Sequence, residues 1–388
     1  MNSVTLENTN HQLSISNAQF INQCLCFAQK QGKSMVAYLL PKSNKITLII
    51  GQEEVFDGSL ENQKTGFIFS GFSGLTSPKI ILADTTYTLS DRILNILIDP
   101  DNFLTEINTN SEATPELQDA PIETVVSVFE QNVSKAIKQI KDGYLKKVVL
   151  ARQKPIEITN TNPGAIFEKL SKGFENSFRS LLYSSNYGIW VGASPEILVS
   201  VNENKQFKTV ALAGTQKLAK NRILLDAVWK QKEIEEQALV SRYIINCFKT
   251  LRLREFEEEG PKTVIAGDLL HLKTVFQANI NNGEVQNLAS KMLNLLHPTS
   301  AVGGMPRQEA IEFINQHEGF DRQLFAGYLG PVNVENRTDL YVNIRCAKLY
   351  KNRAILFAGA GITADSDPDR EFQETEIKMN VIGKILKF

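Results

Sequence analysis

The chain is poor in cysteine, histidine and net charge, and each shortage removes a class of function. Its four cysteines, Cys24, Cys26, Cys247 and Cys346, are scattered, and Cys24-x-Cys26 has no second pair to complete a zinc site, so all four are expected as reduced thiols used in packing. The four histidines, His11, His271, His297 and His317, show no metal-ligand spacing. With 42 Lys+Arg against 43 Asp+Glu the net charge is -1, which gives no global field for nucleic acid or anionic lipid. Any charged ligand therefore needs a locally built site. No apolar run reaches the length of about 18 residues that a membrane span needs. The start, Met1-Asn2-Ser3-Val4-Thr5-Leu6-Glu7, has neither a basic leader nor an apolar signal core, and a cytoplasmic protein is expected. Nucleophile elbow and phosphate loop are both absent, and Gly359-x-Gly361 lacks the third glycine of a dinucleotide fingerprint.

What remains is a chain of 388 residues with 42% hydrophobic and 22% charged side chains, enough to bury a large core. Residues 1–115 are rich in short β-type runs such as Ser34 to Leu40 and Lys45 to Ile50, and end in a polar, proline-terminated stretch, Asn108 to Pro115. A boundary there predicts a variable N-terminal part and a main part over 116–388. In the main part a 3.6-residue stripe predicts a helix over Ile122 to Asp142, stopped by Gly143. Strands are expected at Lys147 to Arg152, Ser180 to Tyr183, Ile189 to Ala193, Glu196 to Val201 and Lys208 to Leu212. A long helix follows over Asp226 to Phe248, with Ile234, Ala238, Val240, Tyr243, Ile244 and Ile245 inward. The acidic run from Glu255 to Glu259, closed by Gly260-Pro261, reads as a solvated turn. Two late strands, Asp339 to Ala347 and Ala354 to Ala358, precede a final helix from Asp369 to Leu386. This order of elements predicts an α+β fold of large antiparallel sheets flanked by helices.

Several clusters could carry chemistry. In the final helix Glu371, Glu374 and Lys378 fall at i, i+3 and i+7 and share one face, which suits either a solvated ion-paired stripe or a binding face. Glu233 and Glu236 are likewise three apart on the long helix, as surface charge or as half of a hard oxygen site; two such pairs facing each other would suit Mg²⁺. Lys147 opens an apolar strand, as an edge charge or a functional amine whose burial would favour the neutral base. Arg345, inside Tyr341 to Ala347, has a fork suited to a carboxylate. The glycine segments Gly192 to Glu196, Ala211 to Thr215 and Phe357 to Ile362 each follow a predicted strand and allow a turn, a bulge or a close ligand approach.

Taken in order, these segments resemble the chorismate-utilising enzymes (anthranilate synthase component I-like), most of all the isochorismate synthases, from about Ile122 to Lys378. The resemblance rests on Lys147 to Arg152, Gly192-Ala-Ser-Pro-Glu196, Ala211-Leu-Ala-Gly-Thr215, Glu233-x-x-Glu236, His271-Leu272, His297 to Arg307, Gly327 to Pro331, Tyr341 to Ala347, and Gly359 to Ile362 followed by Glu371, Glu374 and Lys378. It implies Mg²⁺ held directly by Glu236 and Glu374 and through water by Glu233 and Glu371. It implies chorismate anchored by Arg345, Lys378, Thr215 and the backbone at Gly214 and Gly361, in a pocket lined by His271 and Phe325.

The implied reaction adds water at C2 of chorismate with loss of the C4 hydroxyl, Lys147 acting as base and Glu196 as a protonated acid. Ala213, where aminodeoxychorismate synthases carry a nucleophilic lysine, and Lys147, absent from the ammonia-using anthranilate synthases, both favour water. Salicylate synthase, which goes on to eliminate pyruvate, is the alternative. The product could serve menaquinone, the more general need, or a siderophore. No glutaminase subunit, nucleic acid or membrane partner is implied, and a monomer is expected. The sequence departs from the family pattern at Gln237, Ser300 and Phe372.

Overall fold

The computed structural model describes residues 10–72, 76–90, 92–98, 126–159, 161–217, 227–266, 269–280 and 285–387. Among them twenty strands form two sheets, eleven-stranded and nine-stranded, with seven helices around them and every strand pair antiparallel. In the larger sheet Ser34–Leu39 lies beside Phe178–Ser184, followed by Gly188–Ser194, Cys346–Tyr350, Arg353–Ile362, Lys147–Glu157 and the two-residue edge Gly304–Met305. In the smaller one Glu257–Ala266 forms an edge, followed by Leu269–Asn279, Gln206–Lys217, Ile197–Val201, Thr338–Val342, Tyr328–Val332 and Gly66–Ser70.

Side chains alternate along a strand, so a strand buried on both faces feeds two cores. Ser34–Leu39 does this: Val36 and Tyr38 point into the core between the sheets, while Met35, Ala37 and Leu39 meet the helices on the outer face. This is why its sequence is an unbroken apolar run. The N-terminal strands complete both sheets, Ser34–Leu39 pairing with Phe178–Ser184 and Gly66–Ser70 with Tyr328–Val332. The boundary expected at residue 115 lies outside the described residues.

Of the expected helices, the first is described over Val126–Lys141, with Phe129, Val133 and Ala136 buried and Val128 exposed. The middle helix runs Gln231–Thr250, later than expected; Asp226 lies outside the described residues. Its inward face is Gln237, Val240, Ile244, Cys247 and Phe248, whereas Ile234, expected inside, is 47% exposed, because it sits in the first turn before the helix reaches the core. The final helix, Pro368–Leu386, starts where Asp367 accepts the Arg370 amide and proline occupies the first turn. Its Phe372 and Thr375 are fastened to the Lys147–Glu157 strand by Arg152, whose Nε donates to Thr375 Oγ1 at 2.6 Å and whose guanidinium lies 4.1 Å over the Phe372 ring.

Three other expectations are corrected. The acidic run is an exposed edge strand, Glu257–Ala266, with a register shift between Glu259 and Lys262 around Gly260-Pro261; charge and proline on an edge discourage further pairing. The glycine segments lie within or at the end of strands, not after them: Gly192 to Ser194 close Gly188–Ser194 before Pro195 and Glu196 leave the sheet, and the other two lie inside Gln206–Lys217 and Arg353–Ile362. The single strand expected over Asp339 to Ala347 is two, Thr338–Val342 in one sheet and Cys346–Tyr350 in the other.

Candidate active site

That last break builds the site. Asn343, Ile344 and Arg345 carry the chain from the nine-stranded to the eleven-stranded sheet, and Arg345 turns it with a left-handed φ of 51°. Pro195 and Glu196 carry it the opposite way, between Gly188–Ser194 and Ile197–Val201. The two crossovers lie side by side, locked by Ala193 N–H donating to the Arg345 carbonyl and Val342 N–H to the Glu196 carbonyl, both at 3.0 Å. Gly192 is needed there, since a Cβ would stand 3.0 Å from Cys346 Cβ. Glu196 and Arg345 thus occupy neighbouring positions where the sheets part.

A cavity of about 100 Å³ opens at this point. Glu196, Gly214, Glu236, His271, Phe325, Arg345 and Lys378 line it, together with Leu212, Ala213, Val302, Arg322 and Phe357. Gly214 sits in a bulge of its strand, at φ 67°, where register against Leu269–Asn279 shifts. Its carbonyl faces His271 Nδ1 at 2.9 Å and can only accept, so the imidazole carries its proton on Nδ1 and turns Nε2 to the Arg345 guanidinium. Burial, aided by Arg345, brings the His271 pKa down to about 3, so the ring is neutral at pH 7.

The carboxylates below the cavity are each matched by a cation. Lys147, 1% exposed, donates to Glu236 Oε1 at 2.8 Å; Lys378 lies 2.8 Å from Glu374 Oε1 and donates to the Gly359 carbonyl at 2.9 Å; Lys232 lies 2.8 Å from Glu371 Oε1. Ser366 Oγ also donates to that oxygen of Glu371 at 2.7 Å, while Glu371 Oε2 is buried with no partner among the described residues. Lys378 feels Glu374, Glu236 and Glu371 together, as does Lys232, so the three carboxylates form one electrostatic cluster. Gly361 backs it, because a Cβ there would stand 3.0 Å from both Glu236 Oε1 and Lys147 Cε.

Burial and the neighbouring charges together set the acid-base properties. Burial pushes Glu196 up to about 8, against the lowering charges of Lys147, Arg345 and Lys378, so the carboxyl is mostly protonated at pH 7. Burial would also raise Glu236, but the charge and hydrogen bond of Lys147, with Lys378 and Lys232 beyond, bring it down to about 2. Burial lowers Arg345 to about 10 despite Glu196. For Lys378 the three glutamates outweigh burial and raise its pKa.

Of the residues singled out in the sequence, seven line the cavity and Lys147, Gly361, Glu374 and Glu371 stand behind it. Glu233 lies beside Gly214, its Cβ 3.2 Å from where a Gly214 Cβ would be, and one of its oxygens accepts the Lys230 amide, capping its own helix. The Thr215 side chain lies outside the described residues. Among the described residues no three Asp, Glu, His or Cys side chains converge at metal-ligand separation; of the four expected glutamates, Glu236, Glu371 and Glu374 stand in separate ion pairs and Glu233 caps its helix. Arg322 and Lys232 were missed. Arg322 sits in a polar stretch, Asp321-Arg322-Gln323, and the partner of Lys232 is remote in sequence, so neither stood out from its neighbours.

None of the three departures from the family pattern lines the cavity. Gln237 Nε2 donates to Thr274 Oγ1 at 2.9 Å and to the Ala211 carbonyl, tying the middle helix to two strands. Phe372 carries Arg152 on its face, and Ser300 is buried.

Comparison with known proteins bears on the family and the fold. The family model for chorismate binding enzymes matches residues 80–387. Isochorismate synthase EntC of Escherichia coli is 32% identical over 268 residues, 66% of this chain and 66% of that one; isochorismate synthase MenF of Bacillus subtilis is 30% identical over 256 residues, 64% of this chain and 53% of that one. The chain thus matches just under two thirds of the one and about half of the other. Among solved structures, the menaquinone-specific isochorismate synthase MenF of Escherichia coli superposes with a TM-score of 0.76 at 21% identity, over 98% of this chain and 94% of that chain, which shows a shared fold. With the family model covering most of its length, this chain belongs to the chorismate-binding enzymes.

Proposed function

We propose that the chain is an isochorismate synthase, converting chorismate to isochorismate with Mg²⁺ by adding water at C2 and expelling the C4 hydroxyl. The observation that carries the reading is a buried carboxyl, Glu196, protonated at pH 7 and within electrostatic reach of a buried lysine, Lys147. Hydroxide is a poor leaving group, so it must depart with a proton, and Glu196 has one to give. Lys147 is the group to receive the proton of the attacking water. One proton is lost from water and one is delivered to the departing hydroxyl, so the product is an isomer of the substrate. Lys147 then holds the proton taken from the attacking water and Glu196 is left ionised, and net transfer of one proton from Lys147 to Glu196 resets both groups.

Arg345 and Lys378 would anchor the carboxylates of chorismate, a role supported by their convergence on the cavity and by the fork of Arg345, which His271 steadies. Ala213 leaves no amine to attack the ring at that wall. The all-oxygen donors Glu236, Glu374, Glu371 and Glu233 fit a hard divalent cation, and the unpartnered buried oxygen of Glu371 supports this. Mg²⁺ held there would neutralise the ring carboxylate of the substrate. Lys147 can take a proton from water only when Glu236 is engaged elsewhere, because its Nζ is bonded to Glu236 Oε1 at 2.8 Å.

The test is to incubate the protein with chorismate, with and without Mg²⁺ and without any ammonia source, and to identify products by chromatography and mass. Isochorismate formed only with the metal is expected. Salicylate plus pyruvate, beyond an enzyme-free control, would move the assignment to salicylate synthase; no product would refute it.

A further inference from the structure

Glu318 and Arg322 form the one ion pair among the described residues in which both side chains are almost fully buried, 2% and 3% exposed. They stand at an unusual place in the larger sheet. The strand Lys147–Glu157 pairs along nearly its whole length with Arg353–Ile362, but on its other side the short strand Gly304–Met305 reaches only Lys147 and Val148. Val149 N–H still finds the Gly303 carbonyl at 2.8 Å. Beyond it the open edge is met by side chains: Arg322 Nη2 donates to the Val149 carbonyl at 2.7 Å, and Glu318 Oε1 accepts the Ala151 N–H at 2.7 Å.

The same guanidinium reaches further. Its Nη1 donates to the Val302 carbonyl at 2.9 Å and its Nε to Glu318 Oε2 at 2.7 Å, and its face lies 4.0 Å from the Phe72 ring centre. Val302 and Arg322 both line the cavity. The pair thus replaces a missing neighbour strand and ties the strand that opens with Lys147 to the segment that walls the cavity. Stability alone is a weak reason for it, because a buried ion pair can often be exchanged for apolar side chains without loss. A lysine could not replace Arg322, since its donors radiate from a single nitrogen and the guanidinium bonds run to three separate groups, Val149, Val302 and Glu318.

We infer that Glu318 and Arg322 are positioning residues that hold Lys147 in register with the cavity. The activity part of the inference rests on the function proposed above. A 1 Å displacement of a reacting group costs about 10²-fold in rate, so a loosened strand edge should be visible in turnover before it is visible in binding.

The experiment uses the full chain with Glu318→Leu and Arg322→Met together, which removes both charges at once, and combines them with Lys147→Ala. Chorismate turnover is measured, along with hydrogen exchange over residues 147–152. The double variant should melt below the parent, because the Ala151 amide and the Val149 and Val302 carbonyls lose their partners, yet stay folded at the assay temperature, lose kcat by about 10²-fold with KM moved less than about threefold, and exchange the Ala151 amide at least about tenfold faster. In the Lys147→Ala background the same pair of substitutions should cause no further loss. Glu318→Gln, which keeps an acceptor for the Ala151 amide and gives up the charge, is the second variant if the first does not fold, and should show the same dependence on Lys147. Unchanged kcat, or a penalty that persists without Lys147, overturns the inference. If the parent does not turn chorismate over, the proposed function has failed and the exchange measurement decides: unchanged protection of residues 149–151 overturns the positioning role, and increased exchange upholds it.

Discussion

Replacing Glu196 by glutamine should separate the energetics of the buried acid from its chemistry. The side chain is 3% exposed, and burial moves its pKa from 4.5 to about 8. In the unfolded chain the group ionises near 4.5, so between these values the unfolded state sheds a proton that the folded state keeps. Folding stability from this group is therefore fully present below pH 4.5 and falls as pH rises through 8, at about 1.4 kcal/mol per pH unit. At pH 7 the folded parent should have lost about 3 kcal/mol relative to pH 4. The glutamine of Glu196→Gln has no proton to lose. Urea unfolding in chelator, from pH 4 to 8, should find the variant about 3 kcal/mol more stable than the parent at pH 7 and nearly equal to it at pH 4, since other titrating groups cancel in the difference. The same variant should bind chorismate and fail to turn it over. A difference in stability that does not change with pH would refute the protonated buried acid.

Lys147→Ala should lower turnover by about 10² to 10⁴-fold with chorismate affinity nearly kept, and near-normal turnover in a steady-state assay would remove Lys147 as the base. Glu374→Gln should raise the Mg²⁺ concentration needed for half-maximal rate; an unchanged metal titration would take Glu374 out of the cation site. Gly361→Ala would put a methyl group 3.0 Å from Glu236 Oε1 and Lys147 Cε, and should cut kcat by about 10²-fold while the fold, followed by circular dichroism, is kept. Parent-like kcat there would mean that the Lys147–Glu236 pair has room to shift without consequence.

What was legible in the sequence follows the range of the interactions involved. Strand and helix positions rest on local periodicity, and the final helix was marked by its Asp367 and Pro368 start and its apolar face. The break at Arg345 was not legible, because Asp339 to Ala347 reads as one β-type run and only the divergence of the two sheets forces the turn. Ile234 was misplaced since periodicity does not say where along a helix the core begins. Lys147, Glu196 and Arg345 could be nominated as charges in apolar strands, but that Glu196 and Arg345 sit on adjacent crossovers depends on pairing between segments some 150 residues apart. Arg322 mends an open sheet edge, and such an edge leaves no local mark.

The central claim is that water, activated by Lys147 and answered by the proton of Glu196, is the nucleophile at C2. Turnover of chorismate in ¹⁸O-enriched water with Mg²⁺, followed by mass analysis of the isochorismate, tests it directly. The account predicts one heavy oxygen, located at C2, with the rate of incorporation lowered by about 10² to 10⁴-fold in Lys147→Ala. Isochorismate formed without the label would contradict it.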